Sequence, residues 1–136
     1  MLYAYNNADQ ELAVGGAVLY PFIGIQTGCT ATLAAGSGSV RLSRPGLFMV
    51  HFNADAAGVA AGDVTFQLFR NGVEVPGAEG TASSTAATDV VNIGFTAIVR
   101  VEPTCPCNTA GVTLVVQNTG VAATASNAAI TVTKIA

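Results

Sequence analysis

The stretch that decides the fold is RPGLFMVHF, residues 44–52. Because successive side chains of a β-strand point to opposite faces, this stretch predicts a strand with two distinct faces. One face would carry Phe48, Val50 and Phe52. The opposite face would carry Leu47, Met49 and His51. Pro45-Gly46 is typical of a turn before the strand, and the polar residues at 53–55 are expected to end it.

Similar segments follow along the chain. Alternating or β-branched residues, which favour strands, occur at 63–70, 90–101, 111–117 and 127–135. Asn71-Gly72 tolerates the positive φ of a tight hairpin turn, so Val73–Val75 should return from it and stop at Pro76-Gly77. Residues 75–87 are expected to be a flexible loop or a weak edge strand. Weaker strand candidates lie at 2–5, 12–20, 29–33 and 39–42.

These segments favour an all-β fold over a helical one. The chain has 136 residues, including 24 alanines, which favour helices intrinsically. However, the apolar spacing of three and four that a helix needs is missing, and glycine, asparagine and proline separate the short runs. We therefore predict one domain over residues 1–136, an antiparallel jelly-roll sandwich of about 8–10 strands. Residues 1–20 would form an N-terminal arm that contributes edge strands.

The composition also excludes several classes of protein. A 51% hydrophobic and 10% charged chain is unlike a disordered one. The net charge is −3, and the five basic residues are scattered along the sequence, so we expect no basic patch and no nucleic-acid partner. Apolar runs are far shorter than the roughly 20 residues of a membrane span, so no membrane insertion is expected. Residues 1–20 lack the pattern of a signal peptide.

Two short motifs resemble a known family. RPGLFMVHF at 44–52 and LFRNG at 68–72 look like the tumour-necrosis-factor-like jelly roll, and are more similar to the complement globular head. The resemblance covers roughly residues 39–135. It departs from the family in having no Trp, in its many alanines and in a Cys-Pro-Cys insertion. The resemblance implies a homotrimer, as in bacteriophage fibre or head-decoration proteins and bacterial collagen-like filament tips.

The sequence gives a separate indication of an interface. A monomeric sandwich should alternate apolar and polar faces, yet Leu47 and Met49 lie opposite an already apolar face, and Val115 and Ile98 interrupt polar faces in the same way. The family pattern would place Leu47, Met49 and Val115 on the sheet that faces the threefold axis. We therefore predict a trimer interface at Leu47, Met49, His51 and Val115. His51 is the only histidine, and no nucleophile motif accompanies it, so no catalytic residue and no enzyme is predicted. On a threefold axis, acid would charge three copies of His51 and loosen the trimer.

The three cysteines allow different states. Cys29 could form a disulfide with Cys105 or Cys107, leaving one thiol free; all three could stay reduced; or they could contribute to a metal site, although a fourth ligand is missing. The acidic residues lack the clustered spacing of a calcium loop, so they are interpreted as solvated turn residues. We predict no cofactor and no metal site.

Three functions remain. The first is a non-enzymatic structural protein of a bacteriophage virion that binds the capsid or another virion protein and contacts a host surface glycan. The second is the head domain of a bacterial or spore surface filament, which serves adhesion or assembly. The third is a monomeric carbohydrate-binding module, which is disfavoured because such modules display exposed Trp or Tyr. Here Tyr3, Tyr5 and Tyr20 all lie near the N-terminus.

Overall fold

The computed structural model describes residues 1–86, 88–102 and 111–136. Within these residues the chain forms eleven strands. They are β1 (Leu2–Asn6), β2 (Gln10–Leu12), β3 (Phe22–Gln26), β4 (Ala31–Leu33), β5 (Val40–Leu42), β6 (Gly46–Gly58), β7 (Gly62–Arg70), β8 (Val73–Ser84), β9 (Val91–Val101), β10 (Val112–Asn118) and β11 (Ala123–Lys134).

The strands form two antiparallel sheets. The first sheet has the order β3-β1-β11-β6-β9, and β2 pairs with the beginning of β11. The second sheet has the order β4-β5-β10-β7-β8. The chain passes from one sheet to the other six times: between β3 and β4, β5 and β6, β6 and β7, β8 and β9, β9 and β10, and β10 and β11. This is the predicted all-β antiparallel jelly-roll sandwich, with slightly more strands than expected.

The core lies between the two sheets and is filled by the inward faces of the long strands. Phe52 of β6 packs with Phe66 of β7 and Phe95 of β9, with ring centroids 5.4 Å apart in both pairs. Phe52 and Phe66 are completely buried. Since Phe66 belongs to the second sheet and the other two to the first, this aromatic group joins the sheets.

The strand faces predicted from alternation are confirmed. Phe48, Val50 and Phe52 are fully buried, and the inward faces of β7 and β10 are buried too. Asn71 (φ 50°) and Gly72 (φ 82°) both have positive φ, as a tight hairpin turn between β7 and β8 requires.

Two expected strand ends are wrong. β6 does not stop at 53–55 but continues to Gly58, because Asn53 and Asp55 point outward while Ala54 and Ala56 point into the core. β8 does not stop at Pro76-Gly77 but runs on to Ser84. It is an edge strand with an irregular register opposite Gln67 and Phe69, and a proline that cannot donate a hydrogen bond is tolerated there.

The N-terminal region differs most from the expectation. β3 was not predicted, and it covers β1, so β1 lies inside the first sheet rather than at its edge. Of the strand expected at 12–20, only Leu12 lies in a strand, at the end of β2. The remaining residues form a loop, but Val18 and Tyr20 are still fully buried, because the Val18 amide donates to the Val116 carbonyl at 2.9 Å and fixes the loop to β10.

Tyr20 leads to a first prediction. Its hydroxyl is buried without a hydrogen-bond partner among the described residues, and burial raises the pKa of this phenol. Because an unpaired buried polar group destabilises the folded state, Tyr20→Phe should raise the free energy of unfolding by about 1 kcal/mol, or Tm by about 4 °C. Thermal unfolding followed by circular dichroism measures this. The exposed Tyr3→Phe is the control and should leave Tm unchanged; a lower Tm for Tyr20→Phe would contradict the prediction.

Candidate functional site

The candidate site is the outer face of the first sheet, the face that points away from the second sheet. Strand pairing arranges its side chains in rows across the strands. One row is Ile25, Tyr3, Thr131, His51 and Thr96. The next is Phe22, Tyr5, Ala129, Asn53 and Gly94. On the other side of the first row lie Thr133, Met49 and Ile98.

An aromatic cluster covers the β1–β3 side of this face. The Tyr3 and Tyr5 rings are stacked with centroids 5.8 Å apart, and Tyr5 stacks on Phe22 at 5.5 Å. Gly24 makes room for the Tyr3 ring, because a Cβ at this position would lie 2.6 Å from the ring. The three rings form one partly exposed surface, which places the N-terminal tyrosines on the sheet itself.

Exposed apolar side chains are distributed unequally between the two sheets. Among the strands of the described residues, the first sheet carries five large exposed hydrophobic side chains: Tyr3, Phe22, Ile25, Met49 and Ile98. The second sheet carries only Val73, beside the hairpin turn. Single exposed apolar residues are common, but a concentration of them on one face is typical of an interaction surface.

The middle of the outer face is polar. His51 Nδ1 and Thr96 Oγ1 are 2.8 Å apart across β6 and β9. The Asn92 amide nitrogen donates to Asn53 Oδ1 at 2.8 Å and to Asp55 Oδ1 at 2.7 Å. Asn127 joins these residues around a shallow depression of about 220 Å³. These bonds tie β6 to β9 and hold the polar side chains in place on the sheet.

The structure brings together three of the four residues predicted for the trimer interface. Leu47, Met49 and His51 lie on the outer face of the first sheet, on β6. Val115 lies on β10 in the second sheet, so grouping it with Met49 on one sheet is wrong. Sequence reasoning missed the aromatic cluster because β3 was not recognised, and Phe22 joins the site only through that strand.

The basic residues are scattered along the sequence but are not spread evenly over the fold. All five are found towards one end of the sandwich: Arg41, Arg44, Arg70, Arg100 and Lys134. They lie there because antiparallel order places the end of one strand beside the beginning of its neighbour.

The cysteine prediction lies partly outside the described residues. Cys29 is exposed, and its carbonyl accepts a hydrogen bond from Ser43 Oγ; Cys105 and Cys107 belong to the segment that is not described. On either side of that segment, Val101 pairs with Gly46 and Val112 pairs with Leu42. Both pairs adjoin the connection from β5 to β6 that contains Ser43.

This placement gives a second prediction. A chain purified without reductant should contain one disulfide from Cys29 to Cys105 or Cys107, because Val101 and Val112 pair with residues on either side of the connection whose Ser43 donates to the Cys29 carbonyl. Alkylation under denaturing, non-reducing conditions followed by mass spectrometry should then find one modified thiol, and Cys29→Ser should show two. Three modified thiols in the unchanged chain would contradict the disulfide.

Some other kinds of site have no support in the described residues. Within 1–86, 88–102 and 111–136, no group of three or more His, Cys, Asp or Glu side chains is arranged to hold a metal ion. In the same ranges, no helix is long and apolar enough to cross a membrane.

Comparison with known proteins identifies the class of fold. The chain is similar to Eiger TNF from S. frugiperda, with a TM-score of 0.73 and 14% identity over 99% of this chain and 92% of that one. It is similar to the PRD1 vertex protein P5, with a TM-score of 0.62 and 11% identity over 99% and 96% of the two chains. The globular domain of the zebrafish complement 1qA protein gives a TM-score of 0.62 and 7% identity over 95% and 92%.

The fold is therefore a TNF-like jelly roll. At these identities the likeness is one of fold, and it confirms the resemblance seen in the two sequence motifs. No family model and no curated protein sequence matches the chain.

Proposed function

We propose that this chain is a non-enzymatic structural protein of a bacteriophage virion, which assembles as a homotrimer and decorates the head or ends a fibre. The observation that carries the proposal is the concentration of exposed apolar side chains on the outer face of the first sheet. The similarity to a phage vertex protein over nearly the full length of both chains supports the virion setting.

The trimer would cover the outer face of each chain with a neighbouring chain. Met49 and Ile98 are direct cross-strand neighbours, and they are 38% and 61% exposed in the single chain. Burying such side chains between subunits would stabilise the assembly by about 25 cal/mol per Å² of apolar surface. In a ring closed by rotational symmetry, the interface of every copy is covered by a neighbouring copy. No interface is then left free to add further copies.

A structural function also agrees with the polar groups of the outer face. His51 is engaged with Thr96, and the Asn92 amide is shared by Asn53 and Asp55. Such cross-strand hydrogen bonds stabilise a sheet. These bonds hold the polar side chains of the outer face in fixed positions for contacts with a neighbouring copy.

Two alternatives rest on specific observations. The similarity to the complement 1qA globular domain favours the head domain of a bacterial or spore surface filament. The second alternative is a monomeric carbohydrate-binding module. The stacked rings of Tyr3, Tyr5 and Phe22 favour it, since sugars stack on exposed aromatic rings. A trimer that buries these rings would argue against the module.

A third prediction tests the interface. Met49→Glu combined with Ile98→Glu should convert the trimer to monomers, because like charges would meet in a desolvated contact. The molar mass from light scattering should fall from three times 13.6 kDa to 13.6 kDa. The control is Val73→Glu, since Val73 is 69% exposed but belongs to the second sheet; its mass should not change. A double variant that remains trimeric would remove this face from the interface.

A further inference from the structure

Three connections meet at one end of the sandwich. They are residues 13–16 after β2, residues 59–61 between β6 and β7, and residues 119–122 between β10 and β11. They lie side by side because the beginning of β11 pairs with the ends of both β2 and β6. We call the surface formed by these three connections the apolar tip.

The apolar tip carries no charged side chain. Apart from Thr119, all of its residues are glycine, alanine or valine. Val14 is 65% exposed and Val59 is 62% exposed, and Ala60 and Ala61 are exposed beside Val59. Connecting loops are preferred positions for binding sites, and contiguous exposed apolar surface is typical of an interaction site.

A buried asparagine holds the connections in place. The side chain of Asn118 is completely buried, and its amide nitrogen donates to the carbonyls of Val121 at 2.8 Å and Leu12 at 3.3 Å. The Val59 amide donates to the Ala122 carbonyl at 2.9 Å, which attaches the third connection. Because the loops are already ordered, a partner that binds them loses little affinity to loop ordering.

A broad depression of about 640 Å³ lies beside the tip. Glu11 is its one charged residue, and this side chain is exposed and has no ion-pair partner among the described residues. The other lining residues are apolar: Leu12, Ala13, Val59, Ala122 and Ala123. The depression therefore combines an apolar surface with a single free carboxylate.

The surroundings of the tip are acidic. Asp63 lies at the beginning of β7, directly after the connection 59–61, and Asp89 precedes β9, whose beginning pairs with the last part of β6. The basic residues lie towards the other end. Arg100 and Lys134 pair with the beginning of β6, about 30 Å along that strand from the tip. The potential at the tip is therefore negative and favours a cationic partner.

We propose that the apolar tip is a docking surface for a protein segment that presents apolar side chains together with a lysine or an arginine. The aliphatic stem of the cationic side chain can pack on the alanine and valine side chains of the depression while its charged group reaches Glu11. The apolar side chains of the segment would cover Val14 and Val59.

Charge complementarity favours this occupant over others. A nucleic acid would be repelled, since its binding depends on basic side chains that neutralise phosphates. Segments that bind membranes are typically rich in basic and aromatic side chains, and the tip contains neither. A second apolar tip would bring the carboxylates of both copies together, which is unfavourable.

This inference deepens the proposed function by naming the chemistry of the virion protein that the chain binds, and its biological setting rests on that proposal. The tip itself is a property of the single chain and lies at the strand ends, away from Met49 and Ile98. In a trimer with strands running in a common direction, three tips would face the same way, and binding would gain from multivalency.

The test uses a short synthetic peptide of alternating leucine and arginine with a fluorescent label, titrated with the intact chain at pH 7 and followed by anisotropy. Two further peptides replace either every arginine by glutamate or every leucine by serine. Both should bind about tenfold more weakly than the first peptide, because each lacks one of the two complementary features. Absence of binding by the leucine–arginine peptide, or equal binding of all three, would overturn the proposal.

Variants of the chain locate the site. Val14→Ser with Val59→Ser should weaken binding of the leucine–arginine peptide about tenfold through lost apolar contact, and Glu11→Gln about threefold through a lost exposed ion pair. The matched control, Val73→Ser with Glu79→Gln, removes an exposed valine and an exposed carboxylate from the second sheet and should change the affinity less than about twofold. Equal losses in the tip and control variants would overturn the site.

Molar mass and Tm are measured for every variant. Loss of peptide binding by a tip variant that keeps the mass and Tm of the wild-type chain supports the docking surface. A monomeric wild-type chain that binds the peptide through the tip would contradict the trimer and still support the docking surface, so the two proposals fail separately.

Two other occupants give different results. Co-sedimentation with phosphatidylcholine vesicles that the Val14→Ser, Val59→Ser variant abolishes would assign the tip to a membrane surface. A wild-type mass above three times 13.6 kDa that the same variant lowers to that value would assign the tip to a second copy. Either result would overturn the protein segment as the occupant.

Discussion

The structure depends on β6 being paired on both sides along most of its length. Eleven residues of β6 pair with β11 and eleven pair with β9. This double pairing places Phe48, Val50 and Phe52 in the core, where Phe52 contacts rings of both sheets. A shift of one residue in either register would expose these side chains and bury Met49 and His51, so the core holds the register and the register defines the outer face.

Two features of the surface follow from different consequences of the same topology. Alternation along the strands separates an inward apolar face from an outward face, and the outward face of the first sheet retains Met49, Ile98 and the aromatic cluster. Antiparallel order places the end of one strand beside the beginning of its neighbour. This brings the basic residues to one end of the sandwich. The outer face lies on the broad side of the first sheet, whereas the basic residues lie towards the strand ends.

Sequence patterns predicted the fold and the long strands well because their apolar residues alternate over five or more positions. Short strands such as β3 were missed, since FIGIQ at 22–26 does not alternate clearly and acquires its place only by pairing with β1. Polar residues misled the prediction at Asn53 and Asp55, which were interpreted as a strand end but point to solvent from a continuing strand. Pro76-Gly77 was interpreted as the end of the strand that begins at Val73, but β8 continues through both residues because it is an edge strand, which tolerates them.

The candidate site was predicted only in part. Leu47, Met49 and His51 were identified because they break the alternation within one strand. Val115 breaks it too, but sequence alone does not assign β10 to a sheet. Tyr3, Phe22 and Ile25 came together through β1–β3 pairing, and the five basic residues came to one end of the sandwich through strand direction. Both are long-range consequences of topology, which local patterns do not contain.

Whether the outer face of the first sheet is a surface for self-association is tested by the molar mass of the unmodified chain in solution, measured by light scattering. Trimer formation through this face predicts three times 13.6 kDa at micromolar concentration. A mass of 13.6 kDa that does not change with concentration would contradict it, because the exposed apolar side chains of the outer face would then have no partner copy to cover them.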